Sequence, residues 1–222
     1  MASRQSVTTS EVVIPPLGLA GTLSVPWSPI GLILFAHGSG SSRHSPRNTA
    51  VARALNEHGF ATLLFDLLTP QEESDRANVF DIFLLAERLI VAVRWLDDQG
   101  PLISELPIGL FGASTGAAAA LVAAARLPAH ISAVVSRGGR PDLARDALSM
   151  VRAPTLLIVG GADFQVLDLN KEALGRLQAP KALEIVDGAT HLFPEPGAMD
   201  AVIKHAARWF ERHLQKRTTR HH

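Results

Sequence analysis

The sequence predicts a three-layer α/β sandwich around a mostly parallel sheet, with an antiparallel hairpin at one edge and no large cap domain. Three observations lead there. Short apolar runs alternate with longer helix-periodic segments from residue 31 to the end of the chain. The runs are continuously apolar rather than alternating, as in strands covered on both faces. The segment 10–26 differs: two short apolar stretches, 12–14 and 22–25, flank a bend containing Pro15, Pro16 and Gly18, which reads as a hairpin.

The buried strands are expected at 31–36, 61–65, 107–111, 131–136, 155–159 and 182–186, each bounded by Gly, Pro or Asp. Helices are expected near 47–58, 78–98, 115–127, 166–178 and 197–214. The second carries Phe80, Phe83, Leu84, Ala86, Ile90, Val93 and Trp95 at spacings that mark a wide buried face. Gly59 and Gly100 read as stops after the first two helices. Ser45 reads as the N-cap of the first, with Pro46 in its first turn.

The 222 residues suit one domain, assigned to residues 10–214, with residues 1–9 and 215–222 expected as flexible tails. A chain of this length buries about 70% of its unfolded surface without staples. With no cysteine, disulfides and thiolate metal sites are excluded. Basic and acidic residues balance at 21 each, which gives no electrostatic footprint for nucleic acid or an anionic membrane. The polar start lacks an apolar leader, so the default expectation is cytoplasmic.

In sheets of this kind ligands gather outside the carboxyl ends of the strands. The strand 107–111 runs into Gly112-Ala113-Ser114-Thr115-Gly116 and then a nearly all-alanine helix. This is G-x-S-x-G in strand–turn–helix context, the pattern of a nucleophile elbow. The tight turn requires nearly side-chain-free residues two before and two after the serine. The same spacing also fits an unreactive small-residue turn or a phosphate loop. The chain contains neither G-x-G-x-x-G nor G-x-x-x-x-G-K-[ST].

Through this motif and its setting the sequence resembles the α/β-hydrolase superfamily over about residues 10–214. Its compact build resembles the dienelactone hydrolase-like branch. That branch's type enzymes carry cysteine at the nucleophile position, where this chain has Ser114. Ester chemistry carries over more readily than their lactone substrate.

The resemblance implies the order Ser, then acid, then His. Asp163 follows the strand 155–159 in Gly160-Gly161-Ala162-Asp163, and His191 follows 182–186 in Asp187-Gly188-Ala189-Thr190-His191. These are the expected acid and base. Asp163 also reads as a turn residue or helix cap, and Asp142 is the rival acid. Asp66 and Asp187 read as structural, and His58, His130, His205 and His213 as surface or packing residues. The resemblance places oxyanion donors at the backbone N–H groups of Thr115 and Ser39, the latter in His37-Gly38-Ser39-Gly40. His37 reads as a buried, hydrogen-bonded residue that shapes this loop.

The loop Ser41-Ser42-Arg43-His44-Ser45-Pro46-Arg47-Asn48 is rich in hydroxyls and arginines. Arg43, His44 and Arg47 either contact an anionic group of the substrate or fix the loop by ordinary polar contacts. Arg137 and Arg140 carry the same two readings. Only 18 residues, counting both ends, run from Arg137 to Pro154, room for one short helix over 142–150 but no lid.

The resulting expectation is a serine hydrolase for small carboxylic esters, lactones or thioesters, working without cofactor or metal through an acyl-enzyme. The alternatives are an acyltransferase or perhydrolase on the same triad, or a non-catalytic small-molecule-binding protein on this fold.

Overall fold

A computed structural model describes residues 6–214. Its centre is an eight-stranded sheet in the order β1-β2-β4-β3-β5-β6-β7-β8. The strands are β1 Val7–Ile14, β2 Leu19–Pro26, β3 Gly31–Ala36, β4 Phe60–Phe65, β5 Ile108–Ala113, β6 Ile131–Arg137, β7 Thr155–Gly160 and β8 Lys181–Val186. The β1–β2 and β2–β4 pairings are antiparallel, and the rest are parallel. β1 starts at Val7, and residues 7–9, expected in a tail, pair with Pro26, Val25 and Ser24. The expectation for residues 215–222 falls outside the described residues.

Strands β3, β4, β5 and β7 are buried at every position, which is why their sequences are apolar without alternation. One face of the sheet packs α1 (Pro46–Glu57) and α8 (Ala198–His213) through Val51, Leu55, Val202, Ala206 and Phe210. The other face packs α4 (Ile82–Asp97) and α6 (Thr115–Arg126). Ten of the twelve α6 residues are buried, most of them alanine. Small side chains let this helix lie close to the strand that feeds it.

Residues 70–97 hold three helices, α2 (Pro70–Glu73), α3 (Arg76–Val79) and α4, and the helix expected at 78–98 is mostly α4, which starts four residues late. Asp75 and Asp81 are the N-caps of α3 and α4. The Asp81 carboxylate accepts from the Phe83 and Leu84 N–H groups and sets the start of α4 at Ile82. In that register Ile82, Leu85, Ala86, Leu89 and Ile90 face the core. Phe80 and Phe83, expected in the buried face, are 49% and 51% exposed. Ser45 caps α1 and Pro46 opens it, as the sequence indicates. Gly59 and Gly100 both take positive φ. α5 (Pro101–Ser104) and α7 (Phe164–Arg176) complete the α-helices.

Between β6 and β7 the chain forms a 3₁₀ helix, Pro141–Met150, kinked at Arg145 (φ 50°, ψ −123°). No cap domain is present among the described residues, and the parallel neighbours β3, β5, β6 and β7 end side by side.

Candidate active site

Ser114 joins β5 to α6 with φ 51° and ψ −123°, a region that costs a non-glycine residue about 1–3 kcal/mol. The neighbouring glycines show why the turn survives. A Cβ on Gly112 would stand 2.4 Å from Ala117 Cα, and one on Gly116 only 2.2 Å from Ala36 O. The crossing strand and helix therefore leave no room for a side chain two residues either side of the serine. A Cβ on Gly38 would meet Ser114 Cβ at 3.0 Å, so the loop after β3 presses on the elbow from above.

Asp163 occupies the N-cap position of α7, yet its side chain makes no cap hydrogen bond. Instead its Oδ2 lies 2.7 Å from His191 Nδ1. Close packing brings the two loops together, since a Cβ on Gly160 would stand 2.3 Å from Ala189 O. With Nδ1–H donating to the carboxylate, Nε2 is left as the basic nitrogen. The rival acid is committed elsewhere: Arg140 donates Nε–H and Nη2–H to Asp142 at 2.9 and 2.8 Å.

Among the described residues no hydrogen bond joins Ser114 Oγ to His191. Such contacts often tighten only on substrate binding. The segment Arg137–Gly138 bridges them. Arg137 O accepts the Ser114 N–H at 3.3 Å, and a Cβ on Gly138 would stand 3.1 Å from His191 O.

Sequence reasoning overlooked Glu195. Its carboxylate accepts from Thr190 Oγ1 at 2.6 Å and from the Thr190 N–H at 3.0 Å, pinning the residue before His191. The hydroxyl contact, with the backbone N–H, holds its carboxyl below the usual range. Nothing in the local motif singles this glutamate out.

The oxyanion donors divide. Thr115 is the first residue of α6, where the N–H has no intrahelical partner. The Ser39 N–H, expected to be free, donates to Thr115 Oγ1 at 3.0 Å. His37 behaves as read. Its Nε2 accepts the Leu67 N–H at 3.1 Å, Nδ1 lies 3.1 Å from Gly38 O, and burial pushes its pKa down. The ring is thus a neutral link between the loops after β3 and β4.

The arginine-rich loop also divides. Arg43 donates its backbone N–H and Nη1–H to Asp66 at 2.8 and 2.6 Å and reaches Glu11 at 3.5 Å, so its charge is neutralised. His44 is exposed, and its N–H meets Ser42 Oγ. Arg47 has no ion pair among the described residues. Nor do the described residues contain a group of three or more His, Asp or Glu able to hold a metal ion, or a helix long and apolar enough to cross a membrane.

The alpha/beta hydrolase fold family model matches residues 31–179. The solved dienelactone hydrolase of Anabaena variabilis is 51% identical, with a TM-score of 0.90 over 96% of this chain and 100% of its own. An esterase domain from Rhodothermus marinus, 22% identical, shares the fold with a TM-score of 0.73 over 94% of this chain and 99% of that one. Two Mycobacterium tuberculosis proteins, one from each of two strains and each described provisionally as a phosphoribosyl transferase, are 60% identical over 92% of this chain. The match spans 46% of their length, so the chain covers about half of these relatives. The elbow sequence, the sheet order and these similarities agree: the chain belongs to the alpha/beta hydrolase fold family and is dienelactone hydrolase-like.

Proposed function

We propose that this chain is a serine hydrolase that cleaves small carboxylic esters, lactones or thioesters through an acyl-enzyme on Ser114. The observation that carries the reading is the 2.7 Å contact between His191 Nδ1 and Asp163 Oδ2, beside a serine held at φ 51°. Asp163 fixes the imidazole tautomer and stabilises its protonated form. His191 removes the Ser114 proton as the hydroxyl attacks the carbonyl carbon, then returns it to the leaving alkoxide or thiolate. Water, activated by the same imidazole, attacks the acyl-enzyme and releases the acid.

The oxyanion meets the Thr115 N–H first. Rotation of the Thr115 side chain releases the Ser39 N–H as a second donor; threonine on a helix divides between two χ1 rotamers, so the motion is inexpensive. The phosphoribosyl transferase description belongs to proteins more than half of whose length lies outside the match. The residues assembled here suit acyl transfer, and the reading rests on them.

The test is hydrolysis of p-nitrophenyl esters together with labelling by a fluorophosphonate. The reading expects turnover and a single covalent adduct, mapped by mass spectrometry to Ser114. No adduct in folded protein, or an adduct elsewhere, overturns it. Added alcohols or peroxide reveal whether acceptors other than water take the acyl group.

A further inference from the structure

Four arginines stand near the carboxyl ends of β3 and β6: Arg43, Arg47, Arg137 and Arg140. Two are neutralised, Arg43 by Asp66 and Arg140 by Asp142. The other two are not. Arg137 is only 6% exposed, yet its side chain makes no ion pair or hydrogen bond to any described residue, and its Nε and Nη1 are buried without partners. Arg47 also buries its Nε without a partner.

These two residues lie on the same face of the sheet. Along β6, Ala133 and Val135 point to the face covered by α1 and α8. Strand alternation sends Arg137 the same way. Helix α1 packs on that face through Val51 and Ala52, and Arg47 lies in its first turn. Burial, aided by the nearby Arg47 charge, pushes the Arg137 guanidinium down to about 10. Asn48, only 2% exposed, heads the same face of α1 with an unpartnered Oδ1.

A buried cation without a counter-charge is destabilising, and a well-packed apolar residue would be more stable in its place. Stability therefore does not explain Arg137, whereas ligand binding does. The site adjoins the triad, because Arg137 O holds the Ser114 N–H and Gly138 lies against the His191 loop.

We propose that Arg47 and Arg137 form a subsite for a phosphate group carried by the substrate, so that the enzyme prefers phosphorylated esters. The substrate half of this statement rests on the serine-hydrolase reading; the binding half does not. Two guanidinium groups on one face of the sheet, neither paired with a carboxylate among the described residues, match a dianion. A single carboxylate would leave one positive charge uncompensated. Phosphate also offers three strong acceptor oxygens to the planar forks.

Titration calorimetry with inorganic phosphate, acetate as the parallel ligand, and circular dichroism of each variant test the proposal. Wild type is expected to bind phosphate at least tenfold more tightly than acetate. Arg47→Gln and Arg137→Met are each expected to weaken phosphate binding at least tenfold, while Arg140→Gln leaves it unchanged. Arg47→Gln, on a half-buried surface position, decides the matter if Arg137→Met does not fold. The kcat/KM ratio of a phosphorylated over a neutral ester should fall in Arg47→Gln. Absence of phosphate binding to wild type at roughly 10 mM, equal binding of acetate, or full retention by Arg47→Gln overturns the subsite. If phosphate binds as described but no ester is turned over, the subsite stands and the hydrolase reading falls.

Discussion

Asp163 begins helix α7 without capping it, because its carboxylate is turned to His191 Nδ1 at 2.7 Å. Asp142, the other acid near the site, is clasped by Arg140 through two hydrogen bonds. Asp163→Asn should therefore lower kcat by about 10³–10⁴-fold by presenting the wrong imidazole tautomer. Asp142→Asn should change it less than about threefold, because its carboxylate is engaged by Arg140 and not by His191. Steady-state kinetics on purified variants decide the ranking, and the reverse order would move the acid role to Asp142.

Replacing the nucleophile should uncouple activity from stability. Ser114→Ala is expected to lose roughly 10³–10⁶ in kcat while folding normally. Ser114→Gly should be equally inactive yet more stable than wild type by about 1 kcal/mol, because glycine adopts φ 51° without strain. Chemical denaturation measures the difference. A glycine variant less stable than the alanine one would show that the elbow is not strained.

Acid should weaken the fold through His37. Burial lowers its folded-state pKa below the ordinary 6.5, so between those two values the unfolded chain binds a proton that the folded one refuses. Its contribution is complete above 6.5 and is lost as pH falls through that value towards the folded pKa. His37→Asn should flatten the dependence of Tm on pH below 6.5. An unchanged slope in that variant would assign the acid sensitivity to other groups.

A site without a cap domain should favour small substrates. With only a 3₁₀ helix between β6 and β7, the described residues supply no lid over an extended acyl groove. Acyl chains of roughly two to six carbons should exceed those of about twelve in kcat/KM. A graded p-nitrophenyl ester series reads this directly, and preference for the long chains would contradict it.

Packing at the elbow should tolerate nothing larger than hydrogen at Gly116. A methyl there would sit 2.2 Å from Ala36 O, which belongs to a buried strand and cannot retreat. Gly116→Ala should cost more than about 4 kcal/mol, beyond ordinary overpacking. A soluble variant with wild-type Tm would mean that β3 moves more freely than its burial implies.

Much of this was legible in the chain because the responsible physics is local. G-x-S-x-G spells a tight strand-to-helix turn in five consecutive residues, and the strands announce themselves by unbroken apolar runs. The helix expected at 78–98 misled for a local reason too. Asp81 is a cap hidden inside an apolar periodicity, and it resets the helical register. What could not be read was pairing across distance. Thr115 taking the Ser39 N–H, Asp66 neutralising Arg43 and Glu195 pinning Thr190 all depend on which loops meet. The difference between Arg43 and Arg47 is invisible in a segment where both look alike.

The contact between Ser39 and Thr115 joins residues 76 positions apart. The parallel pairing of β3 with β5 beneath it spans a similar interval. During synthesis the first loop must therefore wait, unpartnered, until the elbow has emerged. Closing intervals of this size is entropically costly before any contact rewards it, which makes such sheets slow to fold. Refolding kinetics should reflect this order: local helical signals return early, and reactivity at Ser114 returns only with the slowest phase.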